Sequence, residues 1–178
     1  MKKGFLKIFL AGIAAAFFAA CSTPTVSSDD ENLESSSVPK PTSSADIKSI
    51  YDAVEESGLY TTMDSVAAYL CKFDKLPANY VGKNEGKRLY ESETGKAFEK
   101  WNFNPWTTID VMIGGDNFDN YASDPAYYHE TLPEGSYHEA DVDYSGKNRG
   151  TKRLVYQSDC VIFYTADHYE TFKKLEIR

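Results

Sequence analysis

The sequence predicts an α+β domain in which helices come first and pack on an antiparallel sheet of four to five strands. Three observations lead there. Apolar residues recur with helical period between residues 45 and 90, they alternate with strand period from Thr107 onward, and the later segments are joined by short, tight turns. The patterned part is about 120 to 130 residues long, enough for one domain with one core. No internal repeat is visible.

The first twenty residues stand apart. Lys2, Lys3 and Lys7 form a basic start, and Ile8 to Ala20 is apolar but too short for a finished membrane span, so residues 1–20 are expected to be an export signal. The run closes in F-F-A-A-C-S, which resembles the bacterial lipobox. Cys21 is then expected to carry the lipid, and several acyl chains would anchor the protein to a membrane of the cell envelope, most simply the outer one. An ordinary secreted protein cleaved nearby is the alternative. Residues 22–45 are rich in Ser, Thr, Pro, Asp and Glu and have little to bury, so they are expected to form a disordered tether. A short helix (46–58) and the main domain (60–178) follow.

Each later element has its own signal. From Ala45 to Gly58, Ile47, Ile50, Tyr51 and Val54 recur at i, i+3, i+4 and i+7, and Gly58 offers a stop. Thr62 is placed to cap a second helix with Val66, Tyr69, Leu70 and Phe73 on one stripe, ending before Pro77. A third helix is expected from Lys83 to about Tyr90, then loop from 91 to 106. Strands are expected over Ile109–Ile113, Tyr137–Tyr144, Arg153–Gln157, Cys160–Thr165 and Thr171–Leu175, with turns at Ser145-Gly146 and Ser158-Asp159. Alternation puts Ala140 and Val142 on one face of their strand and Glu139, Asp141 and Asp143 on the other. Leu154 and Tyr156 suit the core, so Arg153 would join Glu139 on an exposed sheet face.

Residues 51–178 carry 14 Lys and Arg against 22 Asp and Glu, a net of −8. That argues against tight nonspecific binding to polyphosphate. The positive charge is clustered instead, with Lys147, Arg149, Lys152 and Arg153 within seven residues. Once Cys21 is given to lipid, Cys71 and Cys160 remain. In an exported chain such a pair is expected to form a disulfide, two buried thiols being the alternative.

The closing residues suit phosphodiester cleavage. RNA supplies its own nucleophile, the 2′-hydroxyl, so the reaction needs a base, an acid for the leaving 5′-oxygen, and cations for the crowded phosphate. Glu139 and His168 belong to residue types with ordinary pKa values of about 4.3 and 6.5, and so differ in protonation near pH 5 to 6. Arg149 and Arg153 offer planar forks for phosphate oxygens. His129 and His138 lack partners at metal-ligand spacing, so no metal or cofactor is expected. His138 alternates away from Glu139 and is taken as structural; Trp101 and Trp106 are taken as packing residues.

From about Asp64 onward the chain resembles the barnase-type bacterial ribonucleases of the microbial N1/T1 superfamily. The matching blocks occur in the family's order: V-A-A-Y-L (Val66–Leu70), K-L-P-A-N-Y (Lys75–Tyr80), Lys83, I-G-G-D-N-F-D-N (Ile113–Asn120), E-A-D-V-D-Y (Glu139–Tyr144), R-G-T-K-R-L-V-Y-Q-S-D (Arg149–Asp159) and D-H-Y-E-T-F-K-K (Asp167–Lys174). The resemblance implies the microbial ribonuclease fold and cleavage of single-stranded RNA through a 2′,3′-cyclic phosphate that is then hydrolysed. By position it implies Glu139 as general base, His168 as general acid, Arg149 and Arg153 on the phosphate, Lys83 supporting the transition state, and Tyr169 beside the acid. Phe118, Asp119, Asn120 and Tyr121 fall in the family's guanine loop.

Departures fall on that loop. Where the family continues with an arginine and a glutamate, Tyr121-Ala122 stand here, in a stretch lengthened through Asp124 to Glu130, and the carboxylate that would pair with guanine is missing from its place. Residues 91–112 are longer than usual as well. A monomer is expected. Two other readings share the fold: an inactive surface lipoprotein serving as a binding module, and a ribonuclease toxin domain whose partner would be a small acidic inhibitor protein.

Overall fold

The computed structural model describes residues 44–120 and 131–178. The export signal, Cys21 and most of the tether lie outside the described residues, as do Tyr121, Asp124, His129 and Glu130.

Helix α1 (Ser44–Ala53) begins inside the stretch that composition marks as tether and stops before Gly58. It ends early because Lys72, from the next helix, takes its orphan carbonyls. The Lys72 ammonium donates to the oxygens of Tyr51 at 3.2 Å, Asp52 at 3.3 Å and Val54 at 2.9 Å. Helix α2 (Met63–Phe73) buries Val66, Tyr69 and Leu70 of its expected stripe and leaves Phe73 half-buried, and it buries Ala67, Ala68 and Cys71 as well. Thr62 sits at its N-cap, but its side chain does not cap it. Asp143, eighty residues on, accepts from Met63 N at 3.0 Å instead.

A two-residue strand β1 (Tyr80–Val81) leads into helix α3 (Lys83–Thr94), which runs a turn longer than expected. Helix α4 (Pro105–Ile109) forms where loop and strand are expected. Proline at its start costs no hydrogen bond, and Asn104 caps it. Strand β2 therefore starts only at Met112 and runs to Phe118. Strands β3 (Tyr137–Asp141), β4 (Arg153–Gln157), β5 (Val161–Thr165) and β6 (Lys173–Lys174) follow.

Six strands thus stand where four to five are expected, in the order β1-β2-β3-β4-β5-β6. The extra member is β1, while the strand expected over Thr171–Leu175 is present as the two-residue edge strand β6. All neighbours are antiparallel except β1 and β2, whose parallel pairing is made through the α3–α4 crossover. The α+β class holds.

Both faces of the central strands are buried. On one, Leu154, Ile162 and Val142 pack against Val66, Ala67 and Leu70 of α2. The Cys71–Cys160 disulfide fastens this side, joining α2 to the β4–β5 turn. On the other face a smaller cluster of Leu132, Tyr137, Val155 and Phe163 is covered in part by Phe118, Tyr169 and Phe172. That second cluster corrects one expectation. Glu139 and Arg153 do share a face, since Asp141 pairs with Arg153 and Glu139 with Val155. The face is not exposed: Glu139 is 4% and Arg153 1% accessible.

Candidate active site

The site is assembled on the buried face of β3 and β4. Strand β2 carries a bulge between Gly114 and Asp116, with Gly115 at φ +90°, so Gly114 lies opposite Ala140 and Asp116 opposite Glu139. This turns the Asp116 carboxylate onto the start of α3, where it accepts from Lys83 N at 2.8 Å. An acid at a helix N-terminus satisfies an orphan donor and suits the helix dipole. Lys83 is thereby fixed as the first residue of α3, and its ammonium reaches Glu139 Oε1 in an ion pair. The Tyr169 hydroxyl donates to the other oxygen, Oε2. Burial and the Glu139 charge raise the Tyr169 phenol well above its ordinary value, so it stays a neutral donor.

Asp141, two residues along the same face, is 1% accessible and holds both arginines. Arg149 grips it with both nitrogens of its fork, Nη2 at 2.8 Å from Oδ1. Arg153 Nε lies 2.7 Å from the same oxygen, an ion pair whose angle is too poor for an aligned hydrogen bond. The rest of its guanidinium donates to the carbonyls of Lys152 and Gly150 at 2.7 and 3.1 Å. The Tyr144 hydroxyl adds a further hydrogen bond to Asp141. Burial works against the Arg149 charge, but the Asp141 carboxylate more than offsets it and the net shift is upward.

His168 and Tyr169 sit in the loop after β5, both left-handed, at φ 61° and 76°. Such a pair of residues is strained and needs support. Asp167 provides it, accepting from Thr165 Oγ1 at 2.8 Å and from the Thr171 amide and hydroxyl at 3.0 and 2.6 Å. Those bonds, from Thr171 first, draw the Asp167 carboxyl down to about 2. Thr165 Oγ1 also accepts from Tyr169 N at 3.0 Å. Burial lowers the His168 imidazole below its ordinary value, helped by Arg153 and Arg149 and opposed by Glu139 and Asp141.

Two cavities flank this cluster. One of about 410 Å³ is lined by Arg149, Arg153, His168, Trp101, Asn102 and Asn148, with Gly150. The other, about 560 Å³, is lined by Asn117 to Asn120 and by residues of the 132–137 segment, including Glu134. Tyr169 connects them: its ring lies 5.2 Å from Phe118 and 4.7 Å from His168, while its hydroxyl holds Glu139.

All five expected catalytic positions converge. Lys83, Arg149 and Arg153 gather three positive charges against the carboxylates Glu139, Asp141 and Asp116, so the site is balanced in charge inside an acidic domain. The two arginines, side by side on one cavity, suit a phosphodiester anion. Of the base-loop residues, Phe118 and Asp119 line the larger cavity with Asn120, whose side chain is occupied with backbone: its Nδ2 donates to Leu132 O at 2.8 Å and its Oδ1 accepts from Leu132 N at 3.1 Å. His138 faces away, against Tyr156. Trp106 lies by Thr61 and Asp143, away from the site, whereas Trp101 lines the arginine cavity.

Sequence reasoning missed Asp141, Asp116, Tyr144 and Glu134. Asp141 alone had a signal, the alternation that set it beside Glu139. Asp116 and Tyr144 act only through partners brought close by folding.

A family model described as ribonuclease matches residues 64–176. The chain is 34% identical over 126 residues to a ribonuclease of Bacillus intermedius, covering 68% of this chain and 69% of that protein. It is 33% identical over 126 residues to one of Bacillus pumilus, with the same coverage. To a ribonuclease of Heyndrickxia coagulans it is 36% identical over 118 residues, 64% of this chain and 95% of the relative.

Proposed function

Because the chain belongs to the ribonuclease family, of the barnase type, we propose that it is an endoribonuclease that cuts single-stranded RNA by metal-independent transphosphorylation. Glu139 takes the proton of the 2′-hydroxyl as its oxygen attacks phosphorus. The bond to the 5′-oxygen breaks as His168 gives that oxygen its proton, leaving a 2′,3′-cyclic phosphate. Water opens the ring with the two roles reversed. Arg149 and Arg153 hold the phosphate oxygens, Lys83 steadies the charge beside the base, and Tyr169 keeps Glu139 oriented.

One observation carries this reading: His168 and both arginines line the same cavity, and Tyr169, next in sequence to His168, holds the carboxylate of Glu139. The guanine preference of the family does not follow for this chain. Its loop lacks the family's glutamate, and Asn120 is occupied with the backbone of Leu132. We further propose that the protein is exported and anchored in the cell envelope through acyl chains on Cys21, with residues 22–45 as tether.

Digesting a defined RNA with the purified protein and mapping the ends tests the chemistry. Cyclic phosphate ends, an unchanged rate in EDTA and no cleavage of DNA are expected. Ends bearing a 5′-phosphate, or a requirement for a divalent ion, would overturn it. The anchor is tested separately, since Cys21→Ser is expected to release the protein from membranes.

A further inference from the structure

Arg149 and Arg153 share one carboxylate but come from different kinds of structure. Arg153 opens β4, is 1% accessible, and is fixed by its strand and by the carbonyls of Lys152 and Gly150. Arg149 lies in the loop between β3 and β4, between Gly146 and Gly150, both left-handed at φ 68° and 71°. A loop hinged on glycines does not by itself fix a long side chain. Asp141 grips one edge of the guanidinium, and two bonds along one edge leave its plane free to rock about that edge.

A third contact comes from the lengthened stretch between α3 and α4. The Arg149 guanidinium lies over the Trp101 ring, 5.3 Å from its centroid, within the distance at which the electron-rich face of an indole attracts a cation. Trp101 is itself held on several sides. A Cβ on Gly86 of α3 would lie 2.9 Å from the indole, so the helix backbone packs directly on it. Phe98 and Phe103 pack against it at 4.8 and 5.6 Å, and Tyr90 stacks on Phe103 at 4.4 Å.

A second tie from the same stretch reaches the same loop. Asn104, 4% accessible, donates to Gly146 O at 3.0 Å. The stretch thus braces the Arg149 loop at its first glycine and at the guanidinium it presents. Trp101 also lines the cavity that holds Arg149, Arg153 and His168.

We propose that Trp101 is a positioning residue for the reaction: its ring holds the Arg149 guanidinium at the tilt at which it meets the phosphate. This role rests on the ribonuclease reading above, in which Arg149 holds the phosphate oxygens. Asp141 and Trp101 divide the task. The carboxylate fixes where the guanidinium lies, and the indole fixes how its plane is turned. A neutral ring does this without a further negative charge, which would repel the substrate.

The test measures kcat and KM on a short RNA for Trp101→Leu, Trp101→Phe and Arg149→Lys, and for Trp101→Leu in the Arg149→Lys background. Trp101→Leu keeps apolar bulk without a π face. It is expected to lower kcat roughly threefold to thirtyfold with KM little changed, because the charge still binds phosphate but is no longer held for the transition state. Trp101→Phe keeps a ring and should lie nearer the native value. Arg149→Lys removes the planar group, and in that background Trp101→Leu should add no further loss. The His168 NMR titration midpoint, which Arg149 helps to lower, should rise in Trp101→Leu, a change that lost packing alone would not produce. Circular dichroism checks folding, and if Trp101→Leu does not fold, the same cycle is run with Trp101→Phe. Additive losses, an unmoved midpoint, or a raised KM with kcat unchanged would overturn the positioning role and leave the ribonuclease reading intact. A native protein that cuts no RNA would instead sink that reading, and the role of Trp101 with it.

Discussion

Strands β3 and β4 present two faces that are equally buried and held by different forces. Leu154 of β4, with Ile162 of the adjoining β5, packs on α2; both are 0% accessible and are stabilised by the apolar area they remove from water. Asp141 of β3 and Arg153 of β4, each 1% accessible, lie on the other face and are held by each other, by Arg149, and by the Tyr144 hydroxyl and the carbonyls of Lys152 and Gly150. A buried ion pair gains little over an apolar pair of the same shape, because desolvation offsets the attraction. The charged face is therefore not explained by stability. Its arginines and carboxylates are held rigid, dry and close to His168, the condition under which fixed charges act strongly on a reacting phosphate.

The largest effects expected should separate the faces by activity. Glu139→Gln and His168→Ala each remove one positioned proton transfer and should lower kcat/KM on a short RNA by roughly 10² to 10⁴, with unchanged circular dichroism. Leu154→Ala on the opposite face should leave kcat/KM close to native in the protein that remains folded. A fall of similar size in Leu154→Ala would show that the faces are not independent.

Next comes stability. Asp141→Asn strands two buried cations and should cost about 3–5 kcal/mol, whereas Leu154→Ala leaves a cavity worth about 2–5 kcal/mol. Urea unfolding cannot tell the two apart by size. The activity of the folded fraction can, since only Asp141→Asn should misplace Arg149 and Arg153. On the helix side, reducing Cys71–Cys160 opens a link across 89 residues and should cost on the order of 4 kcal/mol in the chain-entropy model. Cleavage below the unfolding transition should not change, because the disulfide touches neither cavity.

His168 sharpens the contrast through pH. Its imidazole is lowered by burial and by Arg153 and Arg149, so its NMR titration midpoint should fall below about 6.5. As the acid in cleavage it must be protonated, so the alkaline limb of kcat/KM should also fall below that value. The folded pKa lies under the unfolded one. This group's contribution to stability is therefore present above about 6.5 and lost as pH falls through the lowered value. A midpoint above 6.5 in the free protein would mean that Glu139 and Asp141 outweigh the arginines.

The helix side was largely legible in the sequence, and the site side only in part. The stripe of α2, the strands β3 to β5 and the cysteine pair follow from period and composition, because one face of each element is uniformly apolar. Five residues of α4 are too short to show a period, and β1 pairs over only two residues, whereas the strand expected over Thr171–Leu175 forms but shortens to Lys173–Lys174. On the site side, residue types and matched blocks pointed to Glu139, Arg149, Arg153, His168 and Lys83. The face they occupy was misread as exposed, since alternation tells which residues share a face and not what covers it. Leu132, Phe118 and Phe172 cover this one from distant parts of the chain. Asp141 was placed on that face by alternation but not as the partner of both arginines, and Asp116 reaches Lys83 only through the bulge in β2.

The smallest effect concerns a cap that crosses between the regions. Thr62 has the sequence position of an N-cap, yet its hydroxyl bonds Ser65 Oγ at 3.0 Å. The amide of Met63 is satisfied by Asp143, just beyond β3, which also donates its own amide to Thr61 O at 2.9 Å. Asp143 is left-handed at φ 52°, a conformation aspartate tolerates better than alanine. Asp143→Ala should therefore cost about 1–2 kcal/mol through lost cap and backbone strain together, while Thr62→Ala should cost only a few tenths. Asp143→Asn keeps an acceptor and the left-handed preference, and should recover most of the loss. Equal costs for Thr62→Ala and Asp143→Ala would return the cap to the position that sequence assigns it. With the expected ranking, the start of α2 is fixed from the strand that carries Glu139 and Asp141, so helix packing and site placement share one contact while the chemistry stays on its own face.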